Sequence, residues 1–309
     1  MTDKSIDFTK SEQYTLSIRL STDGFSFSIY NPLCGSDFLI RTHPVNTQHS
    51  MAANVKQFLS EAEEVKHPYR QTNILIHNSR YTSVPLELFE DEQMEDLFYQ
   101  NFPKINNEIV LCNILGKSNM VVLFSMDKLT HLYLNEKFPE ARFFSSVSPQ
   151  TEYLTNRSRQ GNNRKLYANI HPQNIDVFCF ENGKALLLNT YPTVNVQDRI
   201  YYLMNIWEQL KYDQERDEMH LIGEGGECNT MIQTLRRYIR KVFVITPQAE
   251  FNQSETNRIE DIPFLIYFVK ILWQWLRWTP KTDTFGFGNS NSFCLTLFYV
   301  TSFIFSYKR

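Results

Sequence analysis

Hydrophobic and polar positions alternate with period two from near the start of the chain. Tyr14, Leu16 and Ile18 alternate with polar partners, Thr22-Asp23-Gly24 interrupts the run, and Phe25, Phe27 and Ile29 resume it. Asp-Gly between two such runs predicts an antiparallel hairpin, because glycine tolerates the positive φ that a tight turn requires. Residues 37–42 supply a third strand. The period then lengthens to that of a helix, with Met51, Val55, Phe58, Leu59 and Ala62 on one face and Glu61, Glu63 and Glu64 on the other, until proline stops it at His67-Pro68. Farther on, the pattern predicts a strand at 73–77, a helix over 90–101 and a hairpin over 108–125 that turns at 116–119. A helix carrying Leu129, Leu132 and Tyr133 follows, then a strand at 142–147 and a helix that begins near Ser148-Pro149.

Residues 156–165 (NRSRQGNNRK) are polar and basic with no apolar period, and read as the boundary between two halves. Beyond them Ile175, Val177 and Cys179 alternate, Glu181-Asn182-Gly183 turns, and 185–188 run back, so Asn182-Gly183 takes the part of Asp23-Gly24. A helix follows with Asn195 as its cap, Asp198 in its first turn, and Val196, Ile200, Leu203, Met204, Trp207 and Leu210 on its core face. A strand at 219–222 ends in Gly223, Asn229 caps a helix bearing Ile232, Leu235 and Ile239, and 242–245 form a last strand. Each half thus runs hairpin, further strand or extended return, helix, strand, helix, strand. This is an α/β plan of two mixed-sheet halves with flanking helices, repeated in element order alone. The expected divisions are 10–160, 161–263 and an aromatic, apolar tail at 264–309.

Composition narrows the class. A chain of 309 residues that is 42% hydrophobic and 21% charged, with 10 Gly and 12 Pro, is neither disordered nor collagen-like. A net charge of −3 gives no basic field for nucleic acid, so none is expected as a partner. Cys34, Cys112, Cys179, Cys228 and Cys294 form no C-x-x-C pair, which fits a reducing, cytoplasmic compartment, and the polar first residues carry no signal-peptide pattern. The tail departs from the rest. It holds 14 of the 44 aromatic residues and a net charge of +4, which leaves residues 1–263 at −7. Its apolar runs, 264–278 and 293–307, are 15 residues each, short of the roughly 20 that a helix needs to cross a bilayer. Three readings stay open for it: a membrane-surface or re-entrant segment, an extension not selected with the domain (such as a shifted reading frame), or packing against the domain.

Two hairpin-led α/β halves in tandem resemble the duplicated ribonuclease-H-like plan of the actin, sugar-kinase and chaperone ATPases. Residues 81–89 (YTSVPLELF), 183–210 (GKALLLNTYPTVNVQDRIYYLMNIWEQL), 240–247 (RKVFVITP) and Phe251-Asn252 are more specifically similar to an uncharacterised bacterial family, the domain of unknown function numbered 3822. The resemblance runs over about residues 10–263. It implies an actin-like ATPase fold and no particular activity.

Actin-type ATPases place an Asp-x-Gly near the first hairpin of each half, where the Asp positions Mg²⁺ or water and the next loop lays backbone N–H groups on the phosphates. Here the stretches read Arg19-Leu20-Ser21 into Asp23-Gly24 and Cys179-Phe180-Glu181 into Asn182-Gly183. Neither strand contains Asp-x-Gly, and neither turn is long enough to wrap a triphosphate. Asp23 and Gly24 read as turn residues, and Asp176, too early in its strand, as an outward-facing polar residue. In 221–226 (LIGEGG), Gly223, Gly225 and Gly226 separate a strand from a helix N-terminus, an arrangement against which an adenosine can lie; a plain strand-to-helix loop is the alternative. The histidines at 43, 49, 67, 77, 131, 171 and 220 form no H-E-x-x-H, and no G-x-S-x-G is present. Arg157, Arg159, Arg164 and Lys165 read as a solvated linker. No catalytic residue, metal ligand or cofactor is therefore expected. The leading expectation is a cytoplasmic actin-like fold without ATPase activity, serving as a binding or assembly module for a protein partner. The alternatives are a degenerate ATP-binding enzyme and a membrane-associated assembly factor similar to the actin-like proteins of pilus and secretion machines.

Overall fold

The computed structural model describes residues 6–31, 38–223 and 226–245; the tail, Phe251-Asn252 and Gly225 lie outside them. The chain opens with β1 (Thr15–Ser21), β2 (Gly24–Tyr30) and β3 (Phe38–His43), passes through α1 (Met51–Glu61) and returns along β4 (Gln71–His77). Next come β5 (Tyr81–Pro85), α2 (Met94–Tyr99), β6 (Glu108–Leu115), β7 (Met120–Asp127), α3 (Lys128–Lys137), β8 (Arg142–Ser145) and α4 (Val147–Ser158). The second half holds β9 (Lys165–Ile170), β10 (Asn174–Glu181), β11 (Lys184–Pro192), α5 (Val196–Gln209), β12 (Glu218–Ile222), α6 (Gly226–Leu235) and β13 (Lys241–Ile245).

The repeat lies in the sheet order. One sheet runs β3-β2-β1-β4-β8 and the other β11-β10-β9-β12-β13. In both, the first three strands pair antiparallel and the last two join in parallel. A three-stranded antiparallel sheet, β5-β7-β6, is inserted between β4 and β8.

This register corrects the sequence reading of the second half. The counterpart of β1 is β9, and the counterpart of the Asp23-Gly24 turn is His171-Pro172-Gln173, between β9 and β10. Asn182 and Gly183, at φ 47° and 82°, join β10 to β11 instead. β9 gives no alternating signal because both its faces are buried: Leu166 and Ala168 pack in one core, Tyr167 in another. Strands covered on both sides read as continuous runs. The basic run at the start of β9 is pinned at its end, whereas Arg159 and residues 160–162 are exposed as a solvated linker would be. Lys165 is buried and its amine donates to the carbonyls of Ser158 and Gln160, while Arg164 meets Glu181 at 2.7 Å.

Local chemistry sets the helix ends. Ser50 caps α1, accepting from Ala53 N–H at 3.2 Å; the helix ends at Glu61, earlier than its proline requires, and a 3₁₀ turn over Glu63–Lys66 completes the segment. Asn195 and Asp198 form a full capping box on α5, as the sequence indicates. Asn229, by contrast, lies inside α6 rather than capping it. α3 turns Leu129 and Leu132 outward and buries Thr130 and Leu134; it is fixed by Asp127, which accepts from Thr130 N–H at 2.7 Å.

The largest core joins the two halves. Leu16, Ile18, Phe25, Phe58 and Ile74 share it with Tyr167, Phe178, Phe180 and Ile222. A second core, including Leu203 and Trp207, lies on the other face of β9 and β10, under α5 and α6. Phe98, Val110, Val121 and Leu123 form a third on the inserted sheet. α4 packs against β6, β8 and β10. Its buried polar groups are met, as when Glu152 accepts from the N–H groups of Lys117 and Ser118, both at 3.1 Å. Among the described residues, no helix is long and apolar enough to cross a membrane.

His220, on β12, gives a pH test of this packing. Its ring stacks on Tyr167 and Phe243, with centroids 4.9 and 5.1 Å away, and its buried Nδ1 has no hydrogen-bond partner. Burial pushes its pKa down, against the opposing pull of Glu218. The unfolded chain therefore binds the proton more readily, so this group's stability is complete above about pH 6.5 and falls as pH drops below it. His220→Phe keeps the stack and removes that dependence. In urea unfolding at pH 7 and pH 5 the variant should lose less stability on acidification than the native chain; equal losses would count against it.

Candidate functional site

The two equivalent hairpin turns and the carboxyl end of β4 converge where the halves meet, the end of an α/β sheet at which side chains become available for function. β4 ends in His77, whose Nδ1 lies 2.9 Å from Ser146 Oγ, just before α4. Its ring packs against that of His171, with centroids 4.7 Å apart. His171 Nε2 is 2.8 Å from Asp176 Oδ2, and Asp176 Oδ1 accepts from the hydroxyl of Thr190, its cross-strand partner on β11, at 2.6 Å. Thr190 Oγ1 is also 3.0 Å from the Tyr81 hydroxyl. Thr190 has one proton and gives it to the carboxylate, so Tyr81 donates to Thr190. A buried polar chain thus runs from Ser146 and His77, through His171, Asp176 and Thr190, to Tyr81 on the inserted sheet.

Burial and charge pull these groups in different directions. Burial pushes His77 down to about 4, with Asp176 opposing and His171 adding to the shift. Burial raises the Asp176 carboxyl, but its charge interaction and hydrogen bond with His171, helped by His77 and Thr190, more than offset this and hold it at about 2. At neutral pH the chain holds a carboxylate and a neutral His77. The two cysteines in the core under α5 and α6 are quiet: burial pushes the Cys179 thiol up to about 12 and the Cys228 thiol upward, which leaves little thiolate.

Asp176 corrects its sequence reading outright. It is 0% exposed. The alternation of Ile175, Val177 and Cys179 separates two buried faces of β10, and the opposite face, with Asp176, Phe178 and Phe180, turns toward the first half. Asp23 is a turn residue as expected, held by Arg19 through two contacts at 3.2 Å. The second turn is closed more tightly. His171 N–H donates to Asn174 O at 3.0 Å, Pro172 has no N–H, and the buried Arg199 guanidinium caps the carbonyls of His171 and Pro172 at 3.0 and 3.1 Å. Arg199 is held in turn by Glu227 and Thr193. Asp23 N–H is turned to Ser21 Oγ at 3.4 Å and His171 N–H to Asn174 O, so these two donors are already engaged.

The expected glycine site is only partly visible. Gly223 follows β12 at φ 155°, and a Cβ there would meet the Ile170 side chain at 3.4 Å. Gly226 opens α6 and is exposed, and Gly225 lies outside the described residues. Sequence reasoning missed His77, His171, Ser146, Thr190 and Arg199, which come from five separate elements or turns. The one local signal was the apolar run Leu166–Ile170 breaking at His171-Pro172, which marks a strand end.

Comparison with known proteins agrees with this architecture. The family described as "Protein of unknown function (DUF3822)" matches residues 3–242. A crystal structure from Bacteroides thetaiotaomicron VPI-5482, described as a protein with actin-like ATPase fold and unknown function, is similar at 45% identity and a TM-score of 0.76, covering 87% of this chain and 99% of that one. The PilM-PilN type IV pilus biogenesis complex contains a chain similar at 11% identity and a TM-score of 0.51, with 85% and 98% covered, a likeness of fold alone. No curated protein matches the chain.

Proposed function

This chain belongs to the DUF3822 family of proteins of unknown function, whose fold it shares with actin-like ATPases, and on that premise we propose that it is a cytoplasmic protein-binding or assembly module that does not hydrolyse ATP. The observation that carries this reading is the packing of His77 on His171, ring centroids 4.7 Å apart, at a short turn whose carbonyls Arg199 caps. In ATPases of this fold the corresponding turns hold phosphates and Mg²⁺, and charge stabilisation there is worth orders of magnitude in rate. Here His77 and His171 pack on each other beside the second turn, and Arg199 caps its carbonyls. A binding role is supported by a groove of about 920 Å³ between α5 and α6, lined by Ile200, Tyr201, Met204 and Tyr238, with Tyr201 and Tyr238 exposed. The segment with Gly223, Gly225 and Gly226 is read as a strand-to-helix connection.

Calorimetry with ATP and Mg²⁺, together with phosphate release followed over hours, tests the proposal. Neither Mg²⁺-dependent micromolar binding nor turnover is expected. Both together, abolished by Gly225→Val, would establish the ATP-binding enzyme instead.

A further inference from the structure

A buried histidine pair beside a carboxylate is a metal-ligand set as well as a hydrogen-bonded one. One ligand atom from each of His77, His171 and Asp176 lies within 4.8 Å of the other two. We propose that these three residues bind a divalent transition metal of the zinc class across the junction of the two halves. Two imidazoles and one carboxylate suit zinc, whereas magnesium and calcium take sets of oxygens.

The ligands are already oriented. Ser146 engages Nδ1 of His77, leaving Nε2 as its ligand atom, and Thr190 holds Oδ1 of Asp176, leaving Oδ2. Such outer contacts fix ring tautomer and carboxylate direction at metal sites. Zinc at about 2.0–2.2 Å from each donor sets neighbouring donors about 3.3 Å apart. The His171–Asp176 pair therefore opens from 2.8 Å, and the widest separation closes from at most 4.8 Å, movements within reach of side-chain rotation. The ion takes the place of the proton between His171 Nε2 and Asp176 Oδ2.

A second observation points the same way. Asn169 lies opposite Asp176 in the β9–β10 register and is fully buried. Its Nδ2 donates to Gln150 Oε1 at 3.1 Å, but its Oδ1 has no hydrogen-bond partner. Buried acceptors are seldom left unmet, and a cation or its bound water on this side of the carboxylate satisfies this one. The site does not depend on the reading as an ATP-independent module.

The test uses the full-length chain, stripped with chelator, dialysed against Zn²⁺ and analysed for metal, with Co²⁺ titrated in parallel as a visible probe. Retention of one zinc per chain and the visible bands of four-coordinate cobalt are expected. His77→Gln and Asp176→Asn should each weaken binding by at least about tenfold. His77→Cys should retain it, since thiolate is a zinc ligand. His43→Gln, on the half-buried histidine that meets Glu61 at 3.6 Å, should leave zinc binding unchanged. Circular dichroism verifies the fold of each variant, and if Asp176→Asn does not fold, the contrast of His77→Gln with His77→Cys decides. No zinc on the native chain, or equal retention by His77→Gln, overturns the proposal.

Discussion

Asp176→Ala is expected to lose about 3–5 kcal/mol in urea unfolding at pH 7, because several buried partners of the carboxylate are left unmet at about 1–3 kcal/mol each. The carboxylate is 0% exposed and joins His171 at 2.8 Å to Thr190 at 2.6 Å. Deleting it strands an imidazole, a hydroxyl and, through Thr190, the Tyr81 hydroxyl in the interior, each now without its acceptor or with a worse one. Asp176→Asn keeps an oxygen for Thr190 and should lose less. Asp176→Ala combined with His171→Ala should lose less than the sum of the single changes, because the two groups interact directly. An outward-facing aspartate would cost within about 0.5 kcal/mol, so a loss that small would contradict the buried chain.

Phe178→Ala should cost a similar amount, about 3–5 kcal/mol, and move the whole unfolding transition. Phe178 is 0% exposed on β10 and lies in the core that also holds Leu16, Ile18 and Phe58 of the first half. A cavity there removes contacts from both halves at once. Fluorescence of Trp207, read in a chain whose other tryptophans, Trp273, Trp275 and Trp278, are replaced by phenylalanine, should therefore shift together with far-ultraviolet circular dichroism. Two separated transitions in the variant would show that the halves are stabilised independently.

Much of the architecture is legible in the sequence because its elements carry period and punctuation. Asp23-Gly24, the helical spacing of Met51, Val55 and Phe58, and the Asn195 cap each set local structure where the chain shows it. The candidate site is not legible, for two physical reasons. β9 and β10 are buried on both faces, so alternation in β10 separates two cores rather than inside from outside, and Asp176 reads as exposed. The second reason is distance along the chain: His77 and His171 meet because the carboxyl end of β4, laid parallel on β1, and the β9–β10 turn lie side by side where the halves join. The glycine-rich segment at 223–226 was conspicuous in composition, whereas a His-Pro turn closed by an arginine from a later helix has no local signature.

The central claim is that the first turn of the second half, which corresponds to a turn that faces nucleotide phosphates in actin-like ATPases, is closed here by the packing of His171 on His77 and by Arg199. Hydrogen exchange at the amides of Gly24, His77, His171 and Gln173, measured with and without ATP and Mg²⁺, tests it most directly. The account predicts the same protection in both conditions. Added protection at both turns on addition of the nucleotide would contradict it.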